Sequence, residues 1–204
     1  MTTPPMTSKN ALEAADSVES RILDAALVQF EQVGIKKTTI EDIARRAGVD
    51  RVTVYRRVGS RDDVVQHVTT REVARVLAEL AEIPERHRTL EDLVADIFVT
   101  VVTRWRTHPL LNKMLALEPE RVLPQLTTEG GPTFVMALAA TTGALQRAVE
   151  DGLLADSADM VTRAEIICRI VHSLVLQPEG TTALGTSEEL DAFARKYLAP
   201  IISG

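Results

Sequence analysis

The segment TTIEDIARRAGVDRVTVYRRV, residues 38–58, restricts the possible folds more than any other part of the chain. It holds two short runs of helical periodicity with only Gly48 and Val49 between them, which leaves room for a tight turn joining two crossing helices. In the first run Ile40, Ile43, Ala44 and Ala47 form one stripe, and Thr39 stands where its hydroxyl can cap the amide of Asp42. The second run, about Asp50 to Val58, ends at Gly59. With Val54 at the centre of its buried face, at about 100° per residue, Val49 and Val58 fall beside it. Val52, Thr53, Tyr55 and Arg56 then face outward, with Arg51 and Arg57 on the flanks.

That outward set combines guanidinium forks, hydroxyls and an apolar contact. These are the groups that recognise guanine edges, phosphates and thymine methyls in a DNA major groove. A surface helix without a ligand rarely exposes a valine and a tyrosine among three arginines. Charge distribution agrees. From Lys36 to Arg61 there are eight basic residues against three acidic ones, a local +5, in a chain of net charge −6 whose remainder therefore carries −11. Such asymmetry marks a polyanion-facing module on an acidic body. A merely solvated basic face is the bland alternative.

The rest of the chain reads as helices. Residues 1–17, with two prolines and small polar residues, are expected to form a flexible tail. A helix over about Val18 to Val33 has Ile22, Leu23, Ala26, Leu27 and Phe30 on one face and is stopped by Gly34. Ser60 begins a longer helix that reaches Leu80 or beyond and stops before Pro84, with Asp62 and Asp63 at its positive end. Further helices are expected from Thr89 to Arg106, with Leu90, Leu93, Val94, Ile97, Val101 and Trp105 inward, and from Pro109 to Leu117. A turn-rich piece is expected around Pro119 to Leu126, followed by helices over Pro132 to Val149, Ala158 to Leu176 and Ser187 to Ile201. No segment has strand periodicity, so the fold class is all-α, and 204 residues suit a small domain joined to a larger one.

Residues 18 to 75 closely resemble the amino-terminal domain of the TetR family of transcriptional regulators. The resemblance rests on Ala26, Phe30 and Gly34 in A-x-x-x-F-x-x-x-G, on T-T-I-x-D-I-A-x-x-A-G-V at 38–49, and on T-x-Y-x-x-V-x-S-R-x-x-V at 53–64. The family usually has an aromatic residue where this chain has Val58, and a lysine where it has Arg61. The resemblance implies a helix-turn-helix DNA-binding domain over 18–66 and a helical effector-binding and dimerisation domain over 67–204. It assigns Thr39, Thr53, Tyr55, Arg57 and Arg61 mainly to phosphates, and places Arg51, Val52 and Arg56 nearest the bases. Lys36 and Lys37 are weaker phosphate candidates. Glu41 occupies a position where some relatives carry a basic base-reading residue, and here it suits an acceptor for cytosine. The expected function is sequence-specific regulation, as a repressor released from a palindromic double-stranded operator by a small apolar effector.

One recognition helix reads few bases, so a homodimer is expected. Met160, Ala164, Ile167, Val171 and Leu174 follow one stripe, which Ile166, Ile170 and Val175 make broader than one neighbour needs, and Leu190, Phe193, Ala194, Tyr197 and Ile201 of the last helix form a second. Phe98, Trp105, Leu111, Met114, Phe134 and Met136 are candidates to line an effector pocket, although such residues more often form core. Arg104, Arg106, His108 and Glu118 are expected to be exposed.

A single cysteine, Cys168, excludes an internal disulfide framework and reads as buried filler. The four histidines lie at no metal-ligand spacing, so neither a metal nor a cofactor is expected. No signal-type segment occurs in residues 1–20, and the longest weakly polar run, 134–145, is too short to span a bilayer. A cytoplasmic protein without membrane association is expected. No catalytic motif appears. The competing hypothesis is a helical small-molecule-binding or enzymatic protein whose helix-turn-helix does not serve DNA.

Overall fold

The computed structural model describes residues 8–81, 83 and 87–204, and among these there is no strand. Eleven helices are described: α1 Ser8–Val33, α2 Ile40–Ala47, α3 Arg51–Arg57, α4 Arg61–Ala81, α5 Leu90–Thr107, α6 Pro109–Leu117, α7 Pro119–Leu126, α8 Gly131–Glu150, α9 Met160–Leu176, α10 Ser187–Phe193 and α11 Ala199–Ser203. The fold is all-α, as the periodicity requires. Three expectations need correction. The first helix begins at Ser8, ten residues before Val18, so the expected tail is helical over 8–17, while residues 1–7 lie outside the described residues. Pro119–Leu126 is a helix, because Pro119 sits at its start, where no amide hydrogen is needed. The last helix is divided by a π turn over Ala194–Leu198.

The chain forms two compact units. The first, here the head, comprises residues up to Glu72 together with Pro109–Pro119; the second, here the body, comprises Val73–His108 and Glu120–Gly204. The expected boundary at residue 66 therefore differs from the division observed: α6 and the first half of α4 belong with the head.

The head core is aliphatic apart from Phe30. Ile22, Ala26 and Phe30 of α1, Ile43 and Ala44 of α2, Val54 of α3, and Val64 and Val68 of α4 pack together, and Leu110 of α6 completes the cluster. Each helix contributes a stripe of a few residues, which only the others can cover. In the body, α5 lies against α9 and α10, and α8 pairs with α9. Leu90, Val94, Phe98 and Val102 meet Leu145, Ala164, Leu190 and Leu198 there. Of the α5 residues expected inward, Leu90, Leu93 and Val94 are buried, whereas Ile97, Val101 and Trp105 are only half-buried, and Val102 is buried in place of Val101. Phe98 stacks on Phe193 with ring centroids 5.7 Å apart. Cys168 is buried and lies 3.4 Å from the Thr141 hydroxyl. Burial pushes its thiol pKa up, which opposes thiolate reactivity.

Candidate nucleic-acid interface

The candidate contact residues are set by caps and glycines. Thr39 adopts an extended conformation, accepts from the Asp42 amide at 3.1 Å, and its own amide donates to Asp42 Oδ2, closing a capping box at the start of α2. Gly48 ends α2 at φ +66, a left-handed position, and its amide returns to the carbonyls of Ala44 and Arg45. Arg21 Nη2 also donates to the Ala47 carbonyl at 2.5 Å, so the turn is held from α1 as well. Asp50 caps α3 by accepting from the Thr53 amide at 2.7 Å. Ser60 and Asp63 repeat the arrangement before α4. Hydrogen bonds from Thr39, Thr53 and Ser60 hold the carboxyls of Asp42, Asp50 and Asp63, respectively, below the ordinary range.

Thus oriented, α3 buries Val54 and, just beyond its end, Val58. Val52 is 70% exposed and Tyr55 50% exposed, with Arg51, Arg56 and Arg57 exposed beside them. Thr53 is half-buried at the edge of that face. Thr39, Lys36 and Lys37 are exposed on the approach to α2. The Thr39 hydroxyl already donates to Asp42 Oδ2 at 2.6 Å, so donation to a phosphate competes with this bond. Glu41 faces Arg51 across the two helices, with Oε2 3.6 Å from Nε. Arg61, expected to reach a phosphate, turns instead to the protein backbone: Nε donates to the Thr38 carbonyl at 3.0 Å and a terminal nitrogen to the Ile35 carbonyl.

Other expected sites are distributed differently. The six effector-pocket candidates divide between the units. Leu111 and Met114 lie on α6 in the head, where Met114 packs on the head core, whereas Phe98, Trp105, Phe134 and Met136 lie in the body. Phe98 is itself core, and the Phe134 ring lies under the Arg169 guanidinium, 5.3 Å from its centroid. Arg104 pairs with Glu79 and Arg106 donates to the Leu184 carbonyl. Of the interface candidates, Ile167, Ile170, Val171, Leu174 and Phe193 are partly buried on the body's own core, while Tyr197 is 49% exposed. The apolar side chains most exposed on these elements are Val161, Ile166, Leu176 and Tyr197. Expected exposure of Glu118 is wrong: the residue is 3% exposed and accepts a hydrogen bond from the Lys36 amide at 2.7 Å. Its burial depends on a partner 82 positions away, so no local spacing reveals it.

A capped two-helix unit with a basic, partly apolar outer face is a helix-turn-helix of the kind that DNA-binding proteins carry. A family model described as bacterial regulatory proteins, tetR family, matches residues 22–68. An uncharacterised HTH-type transcriptional regulator of Mycobacterium bovis is 31% identical over 175 residues, covering 80% of this chain and 90% of that protein. The HTH-type transcriptional regulator SrpR of Pseudomonas putida is 41% identical over 63 residues, covering 31% and 29% of the two chains. Among solved structures, the TetR family repressor AlkX of a Dietzia strain superposes with a TM-score of 0.66 at 21% identity, over 90% of this chain and 94% of its own. The transcriptional repressor QsdR of R. erythropolis gives 0.63 at 22%, over 92% and 95%. The chain belongs to the tetR family of bacterial regulatory proteins, and it is a regulator, not an enzyme. Among the described residues no helix is long and apolar enough to cross a membrane.

Proposed function

We propose that this regulator is a homodimeric repressor that binds a palindromic operator through α3 and is released by a small apolar effector taken up by the body. The observation carrying this reading is the outer face of α3, where Val52 and Tyr55 stand exposed among Arg51, Arg56 and Arg57. In this reading Arg51, Val52 and Arg56 meet bases; Thr53, Tyr55, Arg57, Thr39 and Lys37 meet phosphates. Arg61 holds the backbone between α1 and α2, and reaches a phosphate only by giving up those bonds. A seven-residue helix spans few base pairs, so two copies on one duplex supply the specificity. Val161, Ile166, Leu176 and Tyr197, with the partly exposed edges of Ile167, Ile170, Val171, Leu174 and Phe193, are the surface for the second copy. Repression is supported by the names of fold neighbours, since AlkX, QsdR and SmeT of Stenotrophomonas maltophilia, whose structure superposes with a TM-score of 0.56 at 24% identity over 89% of this chain and 88% of its own, are each called repressors. An apolar effector is proposed from the half-buried apolar side chains of Trp105, Phe134 and Met136 in the body, which are the candidate contacts. AlkX is described as implicated in n-alkane biodegradation, and SmeT as the repressor of a multidrug efflux pump. Release requires an effector–operator coupling of only about 1–3 kcal/mol.

A mobility shift with DNA lying upstream of the protein's own gene tests the reading, followed by titration of the complex with small apolar compounds. Arg56→Ala is expected to lose about 1–3 kcal/mol of discrimination between operator and random duplex, whereas Thr53→Ala weakens binding to both alike. Equal losses on both duplexes for both variants contradict the division of roles.

A further inference from the structure

The link between α1 and α2, residues 34–38, carries Lys36 and Lys37 and delivers the chain to the Thr39 cap. Opposite charges hold its backbone. Arg61, at the start of α4, takes the carbonyls of Ile35 and Thr38. Glu118, just past the end of α6, takes the amide of Lys36 at 2.7 Å. Beside it, Leu117 Cδ1 lies 3.0 Å from where a Cβ on Gly34 would stand, and Gly34 has φ +88, so link and α6 end meet without space for a side chain. Thr38, fully buried, donates to the Gly34 carbonyl at 2.8 Å and closes the link on itself.

Packing alone does not require a carboxylate at Glu118, since burying one is costly unless strong hydrogen bonds compensate. What the charge adds is a charge-assisted bond to a backbone N–H, stronger than a neutral group gives. We infer that Glu118 is a positioning residue for DNA binding: by fixing the Lys36 amide it holds the lysine-bearing link in the geometry that presents Lys36 and Lys37 to phosphates. This role rests on the DNA-binding reading above and lies outside the 22–68 segment matched by the family model.

The test uses full-length protein and the upstream duplex, measuring affinity against salt for wild type, Glu118→Ala, Lys36→Ala/Lys37→Ala and the triple variant. Wild type must first bind with a steep salt slope; failure there overturns the DNA-binding reading and this role with it. Glu118→Ala is expected to flatten the slope by about one to two units, the signature of one or two lost phosphate contacts, with the operator-to-random ratio unchanged. The double lysine variant should show the same flattening, and the triple no more. A merely structural role would lower the folded fraction and leave the slope intact, so a wild-type slope in Glu118→Ala, or additive losses in the triple, overturns the inference. If Glu118→Ala does not fold, Glu118→Gln replaces it in the same cycle. Weakening one charge-assisted bond is expected to cost about threefold in affinity with both lysines present and nothing without them. An equal loss in both backgrounds, or none in either, overturns it.

Discussion

Single residues at helix starts do much of the positioning, and they are acids. Asp42, Asp50, Asp63 and Asp92 each accept a hydrogen bond from a backbone or hydroxyl group at a cap, which lowers their carboxyl pKa below 3.8. A group with a depressed folded pKa stabilises the native state above its unfolded pKa and loses that contribution as pH falls through the folded value. Urea midpoints are therefore expected to hold steady toward pH 5 and to decline as pH drops below about 4, with Asp50→Asn showing a shallower decline than wild type. An unchanged acid profile for Asp50→Asn would show that ionisation of the Asp50 carboxyl does not contribute. The Thr39 cap is legible in the sequence, because Thr39 precedes its apolar stripe by one residue and Asp42 follows it by three, whereas Asp50 reads there only as the approximate start of the next run. Glu118 was not legible, since nothing near it in sequence signals that an amide 82 positions away will meet it.

Among the elements, α3 has little support of its own. Seven residues are too few for a stable isolated helix, so its orientation depends on the Asp50 cap, on Val54 and Val58 beneath it, and on the reversal at Gly48. Gly48→Ala places a Cβ at φ +66 and 3.3 Å from Arg21 Nη2. The expected cost is about 1–2 kcal/mol of stability, read from urea unfolding. A midpoint equal to wild type would mean that the turn relaxes to another path. The faces of α2 and α3 were readable because helical periodicity assigns every side chain once Val54 is placed inward. Helix limits were less readable where polar residues continue a helix without an apolar stripe, as in 8–17, or where proline opens one, as at Pro119.

Across the whole molecule, the head is discontinuous in sequence. Its core closes only when Leu110, 3% exposed, packs against residues from the first third of the chain. Leu110→Ala is accordingly expected to cost about 2–5 kcal/mol, as other buried leucine truncations do. Hydrogen exchange should locate the loss, with amides of α2 and α3 exchanging faster although residue 110 is remote from them in sequence. Selective acceleration in α8 and α9 would argue against this placement. The all-α class was evident from periodicity, and the head's position from charge and motif; the return of α6 was not, because domain boundaries in sequence are drawn as single cuts. Anyone transplanting this reader onto another sensor, or trimming it to a minimal fragment, meets a practical consequence: a splice near residue 72 would strip the hydrophobic lid from its own graft. Hybrids that carry 109–119 along, stitched back by a second junction, should keep their footing where single-joint hybrids do not.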